Sequence, residues 1–180
     1  TVSQLMELTQ LDSGEIQLEH EVFDLTEVVA TTADQMKLLA EDKQIQLETQ
    51  LSPQIKVQGD RYRLKQVLLN LLSNAVKFSP AGSGLVRVAL TLEPDRVRVD
   101  VSDNGVGIEE KDLSKIFQKF FRSDGQTNRQ PGLGIGLYLV QRYWVGRKTR
   151  TTITGRPSGS VHLVTSWVRW PIFGLALLVA

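Results

Sequence analysis

Two periodicities of apolar residues divide this chain into candidate helices and strands. Helical spacing predicts an N-terminal helical segment that ends at about residue 13, and helices over about 25–42, 60–78, 110–118 and 134–143. Alternation predicts an edge strand over 15–22, a strand over 45–51, and a hairpin around Glu93-Pro94-Asp95. Asp24 is expected to cap the helix that follows it, with Glu27 as its capping-box partner.

The hairpin indicates which kind of sheet these strands form. Val97, Val99 and Val101 point to one face, while Arg96 and Arg98 point to the other. A sheet with one wet face needs helices to cover its dry face. We therefore predict an α+β fold, a two-layer α/β sandwich whose mixed, mostly antiparallel sheet is covered on one face by helices.

Composition narrows the class of protein. The 180 residues are 41% apolar and 23% charged, as in a globular domain, and the net charge of +1 offers no electrostatic footprint for nucleic acid. The chain has no cysteine, which excludes disulfides, zinc fingers and thiol chemistry. No basic stretch followed by an apolar core stands at the N-terminus, so no signal peptide is visible.

Charge is distributed unevenly along the chain. Residues 1–143 hold all 20 acidic residues and 16 of the 21 basic ones, whereas 144–180 hold five basic residues and no acidic ones. We interpret 144–180 as a divergent C-terminal tail, whose segments TRTTIT and GRPSGSVHLV complete the sheet imperfectly. If they form no strands, one side of the sheet stays open and stability is reduced. The terminal PIFGLALLVA is too short to span a bilayer.

The stretch QVLLNLLSNAVKFSP, residues 66–80, carries an unusual polar face. Gln66, Asn70, Asn74 and Lys77 fall on one stripe of a predicted helix. Asn is a poor helix former, so two of them in mid-helix point to a purpose. Amide oxygens are ligands that Mg²⁺ accepts, and a lysine one turn on favours phosphate. The alternative at this point is an exposed polar face that happens to use Asn.

Two glycine-containing motifs add candidate chemistry. DNGVGI begins at Asp103 after a predicted strand, where a carboxylate can accept the exocyclic amine of adenine and glycines allow close approach of a flat ligand. A plain Asp-Asn-Gly turn is the alternative. PGLGIGL begins at Pro131 and opens a predicted helix, where exposed N–H groups favour phosphate. It fits neither a Rossmann fingerprint nor a Walker A motif.

Taken in order, NLLSNAVKF, DNGVGI, IFQKFFR and GLGIGL resemble the N, G1, F and G2 boxes of the ATP-binding domain of sensor histidine kinases. The superfamily also includes type II topoisomerases, a heat-shock chaperone and mismatch-repair ATPases. The resemblance covers about residues 14–143, and it makes 1–13 the end of the dimerisation and phosphoacceptor helix. It implies that the chain uses ATP and Mg²⁺.

The resemblance also implies roles for the matching residues. Asn70 and Asn74 would hold Mg²⁺ and phosphates, Lys77 would contact phosphate, and Phe78 would pack near the base. Asp103 would read adenine. The base pocket would be completed by Gly105, Gly107 and Ile108.

The G2 box would contact the phosphates, and the F box would anchor the lid of the ATP site. The implied ATP-binding residues of the G2 box are Gly132, Leu133, Gly134, Gly136 and Leu137. Residues 118–133 would form a mobile ATP lid. Its anchors would be Phe117, Phe120 and Phe121, whose alternative role is core packing.

Asn70 separates the enzymatic branches of the superfamily. Hydrolytic relatives typically carry there a glutamate that activates water, whereas an amide is no base. The resemblance therefore implies a kinase, which donates the γ-phosphate of ATP to a histidine of a dimerisation domain for relay to an aspartate of a response regulator. No acid–base catalytic residue is identified. The phosphoacceptor histidine is not in this chain, because His20 is expected on the surface of an edge strand and His162 lies in the tail.

Two other hypotheses stay open. One is a non-catalytic nucleotide-binding or interaction module with a degraded C-terminus, and the other is a hydrolytic clamp, against which Asn70 argues. The expected partners are ATP, the protein's own dimerisation domain and a response regulator receiver domain, with no nucleic acid, in a homodimeric full-length protein. The expected location is the cytoplasm, in a sensor associated with the inner membrane.

Overall fold

The computed structural model describes residues 6, 8, 9, 13, 19–94, 96–122, 132–144, 150–155 and 161–168. The helices with described bounds are α1 (Leu25–Asp42), α2 (Arg61–Phe78), α3 (Glu110–Leu113) and α4 (Gly136–Trp144). The strands are β1 (Glu21–Asp24), β2 (Gln46–Leu51), β3 (Lys56–Gly59), β4 (Leu85–Leu92), β5 (Arg96–Asp103), β6 (Arg150–Gly155) and β7 (Val161–Val168).

Five of these strands form one sheet in the order β2-β4-β5-β7-β6. β2 runs parallel to β4, and the other neighbours are antiparallel. β1 and β3 form a separate antiparallel pair, in which Glu21 lies opposite Gly59 and Asp24 opposite Lys56. The large sheet is therefore mixed and mostly antiparallel, as predicted.

Alternation along β4 and β5 decides which face of the sheet is buried. Val88 lies opposite Val101 on the covered face, and both side chains are buried. On the other face the Arg87 guanidinium lies 2.9 Å from the Glu48 carboxylate, and both side chains remain partly exposed. The valines exclude water by meeting helices, whereas the charged side chains stay solvated.

α1 and α2 cover the apolar face of the sheet. Leu25 and Met36 of α1 lie in one core with Leu68 of α2 and Val140 of α4. The side chains that α2 buries are Leu64, Val67, Leu68, Leu71, Leu72, Ala75 and Val76. Because α2 packs against the sheet, α1 and α4, only its opposite stripe is available for a ligand.

Two aspartates begin these helices. The Asp24 carboxylate accepts the backbone N–H of Thr26 at 2.8 Å, and the Asp60 carboxylate accepts that of Arg63 at 2.9 Å. The predicted cap at Asp24 is confirmed. The Glu27 carboxylate lies 3.3 Å from Arg61, so it links the first turns of α1 and α2.

Of the predicted edge strand over 15–22, the last two residues lie in a strand, whereas Glu19 and His20 do not. β1 begins only at Glu21, and the exposed His20 precedes it. The strand exists where β3 supplies a partner, and the four residues of β3 are too short a pattern to predict. Residues 14–18 lie outside the described residues.

The predicted helix over 110–118 is too long. α3 ends at Leu113, and the chain continues in turns in which Lys115 N–H donates to Asp112 C=O and Gln118 N–H to Lys115 C=O, both at 2.8 Å. The Ile116 N–H still donates to the Asp112 carbonyl at 3.1 Å, Ile116 is buried, and Phe120 further on has a φ of 62°. The helical spacing of apolar residues over 110–118 therefore extends beyond the helix itself.

Two strands of the predicted tail lie in the sheet. β7 pairs with β5 from Arg96 opposite Val168 to Asp103 opposite Val161, and β6 pairs with β7. The condition for the expected loss of stability, missing strands, is therefore not met. The rest of 145–180 lies outside the described residues.

Candidate functional site

The outward stripe of α2 forms the centre of the candidate site. Asn70, Asn74, Lys77 and Phe78 are partly buried, between the core stripe and the solvent. Gln66 at the other end of the stripe donates from its Nε2 to the Tyr62 hydroxyl at 3.1 Å. The predicted polar face is present, and it is neither a solvated surface nor core.

The glycine segment after residue 131 lies along this stripe. A Cβ added at Gly132 would come within 3.0 Å of Lys77 Nζ, and one added at Gly136 within 3.3 Å of Asn70 Oδ1. The structure therefore brings together two motifs that are more than 50 residues apart in the sequence. Glycine leaves open the space beside the amide and the ammonium, where a ligand can approach both.

Lys77 lies among other cations. Its partial burial lowers the pKa of Lys77 from the ordinary 10.5, and the nearby charges of Arg122 and Lys43 lower it further. Its Nζ also lies 5.0 Å from the centre of the Phe78 ring. An anion such as phosphate would relieve this repulsion, so the cluster favours a polyanionic ligand.

The DNGVGI loop lies against the C-terminal end of α2. Asp103 is the last residue of β5, and its Oδ1 accepts the Gly105 N–H at 2.8 Å. A Cβ at Gly105 would come within 2.6 Å of the Phe78 carbonyl oxygen, so only glycine fits. Gly107 has φ 71°, and Ile108 is partly buried. Asp103 and Phe78 therefore border the same region.

Gly134 differs from the glycines beside it. Its φ is 69°, and a Cβ there would come within 2.6 Å of the Phe121 carbonyl oxygen. Its contact is therefore with the backbone of the F box. Leu133 is 39% exposed, whereas Leu137 packs against the core. Phe120 is 57% exposed, and the predicted anchoring of a lid stays a prediction because 123–131 lie outside the described residues.

Sequence reasoning missed two cations near Lys77. Lys43 Nζ donates to the backbone carbonyls of Lys77 at 3.2 Å and Val76 at 3.4 Å, at the end of α2. Nothing in the sequence around Lys43 indicates this contact. Arg122 ends the quoted IFQKFFR motif, so the resemblance contained a signal for it.

The chemistry of the donors fits a magnesium–triphosphate. Asn70 Oδ1 faces the space that Gly136 leaves open, and a neutral hard oxygen suits a Mg²⁺ ion that keeps waters and binds phosphate oxygens. Among the described residues, no three His, Cys, Asp or Glu side chains are grouped to hold a metal ion. None of the helices in those ranges is both long enough and apolar enough to cross a membrane.

Comparison with known proteins identifies the family. The family of histidine kinase-, DNA gyrase B- and HSP90-like ATPases matches residues 59–169, more than half of the chain. The chain belongs to this family. The match includes β6 and β7, and therefore part of the segment interpreted as a divergent tail.

Relatives with curated descriptions include sensor proteins and histidine kinases. The chain is 37% identical over 146 residues to the circadian input-output histidine kinase CikA of Synechococcus elongatus, covering 78% of this chain and 19% of that protein. It is 31% identical over 147 residues to the sensor protein GacS of Pseudomonas syringae, covering 78% and 16%. The chain thus spans a quarter or less of the length of these relatives.

Solved structures agree in fold. Full-length ShkA in complex with AMPPNP matches 92% of this chain and 34% of its own with a TM-score of 0.80 and 26% identity. The mycobacterial sensor histidine kinase MprB matches 83% of this chain and 97% of its own, with a TM-score of 0.69 and 27% identity. The predicted fold class is confirmed.

Proposed function

We propose that this chain is the ATP-binding catalytic domain of a two-component sensor histidine kinase. It donates the γ-phosphate of ATP to a histidine on the dimerisation domain of the same protein, and a response regulator aspartate then receives it. The observation that carries this proposal is the meeting of three motifs at one helix. Gly132 and Gly136 lie beside Lys77 and Asn70, and the Asp103 loop lies against Phe78.

In the proposed complex, the nucleotide lies along the outward stripe of α2. Asn70 and Asn74 hold Mg²⁺ and phosphate oxygens, and Lys77 with Arg122 balances the phosphate charge. Mg²⁺ would neutralise the charge that develops on the phosphates during transfer. Asp103 accepts the exocyclic amine of adenine beside Phe78. The base pocket and the phosphate segment use Gly105, Gly107, Ile108, Gly132, Leu133, Gly134, Gly136 and Leu137.

Phosphoryl transfer asks the protein mainly to position and neutralise its reactants. A ring nitrogen of the acceptor histidine bonds to the γ-phosphorus as the bond to the bridging β–γ oxygen breaks, and ADP leaves with that oxygen. Asn70 supports transfer over hydrolysis, because an amide cannot take a proton from attacking water. The exposed His20 lies outside the site, so the chain alone is not expected to label itself.

Calorimetric titration with AMPPNP tests the nucleotide site. We expect binding that requires Mg²⁺ and that Asn74→Ala loses, whereas Gln35→Ala, an exposed amide on α1, binds like the wild type. No binding by a folded wild-type chain would contradict the proposal.

Radiolabel transfer tests the reaction. With [γ-³²P]ATP and a supplied dimerisation domain, we expect label on that domain and none on this chain. Binding without transfer would favour the non-catalytic module, and sustained phosphate release without an acceptor would favour a hydrolase. Label on His20 would contradict the assignment of the acceptor to another domain.

The remaining partners follow from the same proposal. We propose further that the full-length protein is a homodimer in an inner-membrane-associated sensor, with this domain in the cytoplasm. Its partner would be the receiver domain of a response regulator. A pull-down of the full-length protein with candidate receiver domains would test this partner.

A further inference from the structure

Asn104 makes a side-chain contact that ends the β4–β5 ladder. The ladder runs up to Val86 opposite Asp103, so the next pair is Leu85 and Asn104. Asn104 N–H donates to the Leu85 carbonyl at 3.2 Å, as a regular antiparallel pair requires. The Leu85 N–H, however, donates at 2.7 Å to the side-chain Oδ1 of Asn104. The side chain thus takes the place of the backbone carbonyl in this pair.

Because the side chain of Asn104 replaces the backbone carbonyl, the chain can leave the sheet at Asn104 while the Leu85 N–H keeps a hydrogen bond. Because Oδ1 holds Leu85, the backbone after Asn104 is free to turn toward α2. Gly105 follows at once, and its close approach to the Phe78 carbonyl shows how sharply the chain turns. The first residue of the loop is therefore tied to β4 on one side, while the second touches α2 on the other.

Both ends of the amide are used. Asn104 Nδ2 donates to the Ser83 carbonyl at 3.1 Å, in addition to the acceptor contact of Oδ1. An N–H donor on one side and a C=O acceptor on the other define the orientation of the amide. Aspartate would keep the acceptor but lose the donor, and it would place a negative charge beside the Ser83 carbonyl. Threonine or alanine would lose the two-sided contact altogether.

The consequence concerns Asp103, one residue before. Its Oδ1 accepts the Gly105 N–H at 2.8 Å, so the direction of the carboxylate depends on where Gly105 lies. Asn104 connects these two residues and is itself held by Ser83 and Leu85. We infer that Asn104 is a positioning residue that orients the Asp103 carboxylate and thereby determines the preference for adenine over guanine. The inference rests on the proposed role of Asp103 in reading the base.

The test compares base preference rather than affinity alone. Guanine carries a carbonyl where adenine carries the exocyclic amine. A misplaced Asp103 carboxylate would therefore reduce the difference in affinity between AMPPNP and GMPPNP. We expect the ratio of the two dissociation constants to shrink about tenfold in Asn104→Ala, as for the loss of an oriented hydrogen bond. Asn104→Asp should shift it in the same direction. Gln50→Ala, an exposed amide on β2, should leave the ratio unchanged.

The outcomes separate this inference from the proposed function. An unchanged ratio in Asn104→Ala would overturn the inference, whether both nucleotides bind as in the wild type or both are weakened equally, which would indicate a structural role only. Asp103→Asn is the reference: if it keeps the preference for adenine, the proposed base reading fails and this inference fails with it. If Asn104→Ala does not fold, Asn104→Asp decides. Faster hydrogen exchange of the Leu85 amide in a folded variant would report the lost contact directly.

Discussion

Gly134→Ala should weaken nucleotide binding through the backbone of the F box. Gly134 has φ 69°, in the left-handed region that residues with a Cβ avoid. The added carbon would lie 2.6 Å from the Phe121 carbonyl oxygen and 2.9 Å from the Phe120 carbonyl carbon. Both neighbours are backbone atoms, so no side chain can rotate away to make room.

Two costs add in this variant. The left-handed conformation costs about 1–2 kcal/mol for a residue with a Cβ. An ordinary contact starts at 3.4 Å, which is 0.8 Å beyond the 2.6 Å present here, so the segment must move by a large part of that distance. Backbone shifts forced by extra atoms cost about 1–3 kcal/mol. The expected sum of about 2–5 kcal/mol is local to the junction of Phe121 and Gly134.

The displacement should reach the nucleotide, because Gly132 and Gly136 flank Gly134 and lie beside Lys77 and Asn70. If half of the cost appears in binding, about 1–2.5 kcal/mol, calorimetry should show affinity for AMPPNP reduced by about 5- to 70-fold. Urea unfolding measures the part that appears in global stability.

Gly82→Ala is the matched control. Gly82 has a similar φ of 79°, but its added carbon would meet only Gln44 Oε1 at an ordinary 3.7 Å. It should show the conformational cost alone, with unchanged AMPPNP affinity. The reasoning is refuted if Gly134→Ala binds AMPPNP like the wild type and unfolds no more easily than Gly82→Ala.

Four further predictions concern α2 and its contacts. Since the pKa of Lys77 is lowered, this lysine loses its proton at a lower pH than an ordinary lysine, whose pKa is 10.5. AMPPNP affinity should therefore fall as pH rises through the lowered pKa, and Lys77→Arg should remove this pH dependence. In the same interval the free energy of unfolding should rise, because the unfolded state holds the proton more tightly than the folded state; urea titrations across this pH range check the sign. Lys43→Met should cost about 1 kcal/mol of stability by uncapping the carbonyls of α2, against less than about 0.5 kcal/mol for Lys37→Met, whose ion pair with Asp34 is exposed. Leu72→Ala, at a fully buried core position, should cost about 2–5 kcal/mol in urea unfolding, and a loss below about 1 kcal/mol would contradict the described core.

The regular elements of the fold could be predicted from the sequence, because their patterns are local. Helix α2 and its buried stripe follow from spacing within 20 residues, and so does the hairpin of β4 and β5. Elements that depend on a distant partner could not be predicted. β1 lies where β3 pairs with it, and α3 ends at Leu113 although the helical spacing continues beyond it.

The same division holds for the candidate site. The residue types and their order, from Asn70 to the glycines after 131, are properties of the sequence, and they were enough to indicate the family. Only the tertiary structure decided that Gly132 lies beside Lys77, that Gly134 meets Phe121, and that Lys43 reaches the end of α2. These contacts join segments separated by 13 to 55 residues, and periodicity carries no information about them. Their geometry depends on how α2 packs against α1, α4 and the sheet, which the whole core determines together.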